Sequence, residues 1–189
     1  LMRFAAWRKS LENKDINSKI NAKVLFPHDC IKTLETELYH GKSIKDKGLI
    51  SNLQFNALPN YMEENEFKII CLCDFSASMT MQISKTSNIK AIDISMALGL
   101  YCSDKIGKLN PFYRKFIPFS TENELVDWSE DIFSEAVYKY NNGYVGSTNI
   151  EKALNNILSF AKMFNVPQSK MPNCLLIISD MEFDMAAED

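Results

Sequence analysis

Two short apolar runs, each ending in an aspartate, set the tightest limits on how this chain folds. The first, Phe67 to Cys73, leads into Asp74; the second, Asn173 to Ser179, leads into Asp180. Runs this short, bounded by polar residues, read as strands buried on both faces. A strand covered on both sides needs helices above and below its sheet, and the intervening sequence supplies helical patterns. Ile92, Met96 and Leu100, with Ala97 or Gly99, line the inner side of a helix predicted over 89–104. Ile150, Ala153, Leu154, Ile157, Leu158 and Ala161 form one stripe of a helix predicted over 149–164. This alternation predicts an α/β fold built on a mostly parallel, doubly wound (Rossmann-like) sheet.

The remaining elements fit around that core. A strand is predicted over 113–119, with Pro118 suggesting a nearby sheet edge. Leu125 to Trp128 reads as a short hairpin arm against it, and 132–140 as a helix. Upstream, residues 1 to about 60 read as helical and loop-connected. Phe4, Trp7, Arg8 and Leu11 have helical spacing, and Lys14 to Asn21 is polar enough for a loop. A helix is predicted to start at Phe26-Pro27-His28-Asp29, since proline suits the first turn and Asp29 the positive end of the dipole. Its inner face carries Ile31, Leu34 and Leu38, and Gly41 stops it; a second short helix is expected from Gly48 to Leu58, before Pro59. The chain divides into a helical segment, 1–62, and an α/β domain, 63–189.

Composition removes several function classes. Hydrophobic residues make up 46% of the 189, enough for a packed core. A net charge of −3 argues against a strongly basic nucleic-acid binder. No apolar run is long enough to cross a bilayer, and no signal-peptide pattern opens the sequence, so no membrane partner is expected. The cysteines, Cys30, Cys71, Cys73, Cys102 and Cys174, are odd in number, and three lie in or beside predicted core strands. That pattern implies a reduced, intracellular (cytoplasmic) protein rather than a disulfide framework. Cys71 and Cys73 share a strand face and read either as a metal-binding pair or as small core residues.

The chemistry concentrates after the first strand. Asp74, Ser76 and Ser78 place one carboxylate and two hydroxyls at alternating positions, followed at a distance by Gly146-Ser147-Thr148-Asn149 and by Asp180. Oxygen donors of this kind suit a hard divalent cation, not zinc. Each piece also has a plain structural reading. Ser76 or Ser78 can cap a turn, Thr148-x-x-Glu151 matches a capping box, and Asp180 can be a turn residue at a strand end. In an open parallel sheet, ligand sites lie at the carboxyl ends of the strands, which is where Asp74 and Asp180 fall.

This trio of segments resembles the von Willebrand factor A (vWA) domain and its metal-ion-dependent adhesion site, MIDAS. There an Asp-x-Ser-x-Ser loop, a distant Thr and a distant Asp meet around one metal. The match falls on Asp74, Ser76, Ser78, Thr148 and Asp180, with Ala77 where the family usually has glycine. Leu25-Phe26-Pro27-His28-Asp29 is similar to a helix start in the TROVE-type helical module of the Ro autoantigen. With Ile178-Ser179-Asp180-Met181-Glu182-Phe183-Asp184, it looks closer to uncharacterised TROVE-like/vWA proteins of plants, bacteria and large DNA viruses. The resemblance implies that 1–62 is the end of a TROVE-like module. It also implies that the sheet is incomplete at its C-terminal end, because a vWA domain has further elements after the strand that bears the last Asp. A viral source would add the virion or virus factory as a location.

By this resemblance the site takes Mg2+ or Mn2+ and a protein partner that offers Asp or Glu as the last ligand. A non-enzymatic, cation-dependent interaction module is the expected function. The alternative is an RNA-binding, Ro-like component whose vWA part acts as support, with Lys19, Lys23, Lys32, Lys42, Lys45 and Lys47 in the front segment as its basic side chains. An enzyme is not expected. A phosphatase-type Asp74 would need a second acid where Ser76 stands, and no Gly-x-Ser-x-Gly elbow accompanies the two histidines, His28 and His40. No nucleotide-binding glycine motif is present either.

Overall fold

A computed structural model describes residues 20–39, 48–62, 67–85, 87–119, 124–140 and 150–180. In chain order they form α1 (Pro27–Tyr39), α2 (Leu49–Ala57), β1 (Ile69–Cys73), β2 (Gln82–Ser84), β3 (Ser87–Lys90), α3 (Ala91–Lys105), β4 (Lys115–Pro118), β5 (Val126–Asp127), α4 (Phe133–Tyr140), α5 (Ile150–Met163) and β6 (Cys174–Ile178). The main sheet has the order β5-β4-β1-β6. β1 runs parallel to β4 and to β6, and β5 pairs antiparallel with β4. The fold is therefore α/β with a mostly parallel sheet.

Alternation along the strands sorts the side chains into two cores. Ile70, Leu72, Ile117 and Phe119 face α5, where Ala153, Ile157 and Ala161 pack on them. Cys71, Cys73 and Phe116 face the other way, onto Met96, Ala97 and Leu100 of α3. Two crossovers explain this split. The chain leaves β1 for β4 on one side and returns past β1 to β6 on the other, and right-handed crossovers in opposite directions put their helices on opposite faces.

α3 is buried almost all round, from Ile92 to Ser103. It lies between the sheet and α1, and α2 packs on α1 and α4. Cys30, Ile31, Leu34, Phe55 and Leu58 of the front segment share one continuous core with β1 and α3. The start of α1 follows the sequence logic: the Phe26 N–H donates to the Asp29 carboxylate at 2.9 Å. Both carboxylate oxygens of Glu37, on α1, accept from the first amides of α2, Ile50 and Ser51. Gly48 precedes α2 at φ +90°, and a Cβ there would fall 2.5 Å from that of Ser134. Trp128, after β5, is fully buried, donates to Ser103 at 3.0 Å and carries the Arg114 guanidinium on its face at 4.3 Å.

Two expectations need correction. The helix predicted from residue 89 begins at Ala91, and residues 87–90 are a strand that pairs with β2 as an antiparallel hairpin. The α5 stripe is only partly covered: Leu154 and Leu158 stay about half exposed because β6, beneath them, is the last strand of the sheet among the described residues. An apolar cleft of about 340 Å³ lies there, lined by Leu154, Leu158, Met171 and Leu175. Pro118 does lie near a sheet edge, in β4 beside the edge strand β5, and costs no ladder bond. Phe119 donates to the Cys73 carbonyl at 2.7 Å, so by alternation the missing Pro118 N–H faces beyond the end of the two-residue β5. No helix among the described residues is long and apolar enough to cross a membrane.

Candidate functional site

β1 is flanked by β4 and β6, and the connections from β1 and from β4 run in opposite directions. The carboxyl end of β1 is thus the point where strand order reverses, the crevice that open α/β sheets use for ligands. Asp74 sits at that point, 4% exposed, and its N–H donates to the Ile178 carbonyl of β6 at 2.9 Å. The β1–β6 register holds the two strand ends level, with Cys73 opposite Ile178. The two aspartate-bearing segments therefore emerge side by side.

Two donors hold the Asp74 carboxylate. One oxygen accepts from the Ser76 N–H at 2.8 Å, and the other accepts from the Ser179 hydroxyl at 2.6 Å. Hydrogen bonds to a charged group stabilise by about 1.5–3 kcal/mol each. Desolvating a carboxylate costs several kcal/mol, a cost of the same order as these two bonds together. Among the described residues no Lys, Arg or His makes an ion pair with Asp74.

The loop then folds into a single 3₁₀ turn, Ser78–Thr80, closed by Met79 N–H to Ser76 and Thr80 N–H to Ala77, both 3.1 Å. Ala77 adopts φ −62° and ψ −33°, which any L-residue accepts, so glycine is not required. Buried Met79 pins the turn into the core. The Ser76 and Ser78 hydroxyls hydrogen-bond to each other at 2.9 Å, with either able to donate. Neighbouring ligands in a magnesium octahedron, at metal–oxygen bonds of 2.0–2.1 Å, lie about 2.9 Å apart. The hydrogen bond accounts for the separation by itself, and the same separation is compatible with one edge of such an octahedron.

Asp180 directly follows Ser179 and is exposed. Thr148 lies outside the described residues, as do Glu182 and Asp184. The structure thus brings Asp74, Ser76 and Ser78 together and places Asp180 one residue from a side chain that touches Asp74. Among the described residues no cluster of three or more His, Cys, Asp or Glu has metal-binding geometry; the donor set here contains only two carboxylates. Ser179 is the residue that sequence reasoning missed. Its signal was a hydroxyl as the last residue of an otherwise apolar run, beside the aspartate. Ser95, fully buried on α3, directs its hydroxyl at the Ile178 carbonyl from 3.5 Å and supports the same strand end weakly.

The cysteines behave as core. Cys71 and Cys73 of β1 and Cys102 of α3 are buried in one core. The Cys102 thiol beside Cys71 pulls its pKa down, but Cys73 and burial push it up further, well above the usual thiol value. Cys102 is likewise pushed up by its contact with Cys71 and by burial. Among the described residues these thiols do not form a group of three or more ligands in metal-binding geometry.

Taken together, the fold and the site define an α/β protein with a hydroxyl–carboxylate cradle at the carboxyl edge of a parallel sheet. The chain belongs to the DUF7788 family, a domain of unknown function, whose model matches residues 68–189. No curated protein and no solved structure matches it.

Proposed function

We propose that this chain is a vWA-type interaction module of the TROVE-like/vWA kind, which binds Mg2+ or Mn2+ and through it a carboxylate of a protein partner. The observation that carries this reading is the buried Asp74. It has no basic partner among the described residues and lies beside two hydroxyls at octahedral-edge spacing. Ser76 and Ser78, with Thr148, would ligate through neutral oxygens. Asp74 and Asp180 would hold waters or bind through one oxygen, as magnesium keeps several waters and takes few carboxylates. A cation surrounded mainly by neutral oxygens stays electron-poor and accepts a further carboxylate. That is a binding role and needs no catalytic group.

The RNA-binding alternative has no comparable support. Of its lysines, Lys23 and Lys32 are described, and Lys32 is engaged with Asp29 at 3.4 Å. A thermal melt with and without Mn2+ tests the cation reading. A ligand at a hundred times its Kd stabilises the folded state by about 2.7 kcal/mol. The melting temperature should therefore rise with Mn2+ in the wild type and stay flat in Asp74→Ala. A wild-type melt indifferent to Mn2+ and Mg2+ refutes it.

A further inference from the structure

The β2–β3 hairpin grows directly out of the candidate site. The Met81 N–H donates to the Ser78 carbonyl at 3.1 Å, and the Ala91 N–H donates to the Met81 carbonyl at 3.2 Å. The base of the hairpin is therefore clamped to the loop that carries Ser76 and Ser78. Buried Met79 and Ile89 anchor it on either side. β3 packs on the start of α3, whereas β2 is on the outside. Every residue of β2 is exposed, Ile83 at 50%, and Met81 just before it is 71% exposed.

Alternation over the extended residues puts Met81 and Ile83 on one face, with Gln82 and Ser84 on the other; the pairing with β3 shifts register between Gln82 and Ser84, and Lys85 follows in the turn. Two-stranded ribbons are marginal in water, and this one presents two exposed aliphatic side chains, Met81 and Ile83. Its charge is also distinct. From Met79 to Lys90 there is no acidic residue and there are two lysines, in a chain of net charge −3. Lys90 lies near Glu35 and Asp93 at the start of α3, whereas Lys85 is exposed at the far end of β2.

We propose that this hairpin face is the second half of the partner-binding surface, and that its occupant is an extended acidic protein segment with aliphatic residues after the metal-bound acid. The proposal rests on the cation-binding reading and adds to it what the partner looks like. One turn of 3₁₀ helix carries the chain about 6 Å from Ser78 to Met81. The next extended pair adds about 7 Å, to Ile83, and Lys85 follows in the turn just beyond Ser84. An extended segment advances at the same rate. Its acid at the cation therefore sets aliphatic side chains about two and four residues on against Met81 and Ile83, and a second acid about six residues on against Lys85. Charge complementarity chooses this occupant, since cation and Lys85 both favour carboxylates.

The test uses a fluorescein-labelled peptide, Asp-Ser-Leu-Thr-Leu-Ser-Glu, read by fluorescence anisotropy on the full chain in Mn2+, with Mn2+ binding measured separately for each variant. Met81→Ser and Ile83→Ser should each weaken the peptide about tenfold, the effect of losing part of a buried aliphatic contact. Lys85→Glu should weaken it at low salt more than at high salt. All three should bind Mn2+ as the wild type does, because none is a ligand. Wild-type protein that binds Mn2+ but not the peptide, or hairpin variants that bind the peptide as well as wild type does, overturns the inference and leaves the cation reading standing. Wild-type protein that fails to bind Mn2+ overturns both.

Discussion

Gly99 offers the sharpest check on how the site is held from below. It lies on α3 against β1, and a Cβ built on it falls 2.5 Å from the Cys73 sulphur. Ordinary contacts of that kind begin at about 3.4 Å, so Gly99→Ala demands a shift of roughly 1 Å somewhere. The strand has little room to give, because Cys73 is fully buried and paired to Pro118 on one side and Ile178 on the other. Overpacking of this sort costs about 1–3 kcal/mol. Replacing glycine by alanine in a helix returns about 0.8–1 kcal/mol. The net expectation for Gly99→Ala is a loss of about 0–2 kcal/mol in urea unfolding followed by circular dichroism. A double-mutant cycle isolates the cause: Cys73→Ala removes the sulphur, so the double variant should be more stable than the sum of the singles by about 1 kcal/mol or more. Because Cys73 directly precedes Asp74, Gly99→Ala should also weaken Mn2+ binding. A Gly99→Ala protein about 1 kcal/mol more stable than wild type, with additive singles, refutes the close α3–β1 approach.

Two further outcomes follow from the same geometry. Ser179→Ala removes the 2.6 Å bond to Asp74 and should weaken Mn2+ binding about tenfold or more, since a hydrogen bond to a charged group is worth about 1.5–3 kcal/mol; unchanged affinity by isothermal titration would remove Ser179 from the site. Burial, with Asp29 nearby, pushes the Cys30 thiol from 9.0 up to about 12. The folded chain then keeps its proton where the unfolded chain loses it. Stability from this group is complete below pH 9 and declines as pH rises from 9 towards 12, in the same direction as Cys71 and Cys102. Urea midpoints that do not fall over that window contradict the assignment.

Much of the fold was legible because its signals are local. β1 and β6 are uninterrupted apolar runs, and Pro27 with Asp29 fixes the start of α1. The hairpin was not legible. Gln82-Ile83-Ser84 alternates over too few residues, no glycine marks the turn, and Ile89 falls in helical phase with Ile92 and Met96. The helix start is set by a contact instead, the Lys90 N–H donating to Asp93 at 3.0 Å. The coverage of α5 was not legible either, because a stripe shows which side chains are apolar, not how far the sheet beneath them extends. At the site, the spacing of Asp74, Ser76 and Ser78 carried the reading. The role of Ser179 depends on a cross-strand register that one sequence does not display.

The central claim is that the fold gathers oxygen donors at the β1 edge into a cradle for a hard cation. An equilibrium Mn2+ titration of the full chain, read by electron paramagnetic resonance, tests it most directly. One bound Mn2+ per chain, displaced by Mg2+ and lost in both Asp74→Ala and the Ser76→Ala/Ser78→Ala double variant, is the predicted result. Folded wild-type protein that leaves all Mn2+ free, or variants that bind it undiminished, would contradict the claim.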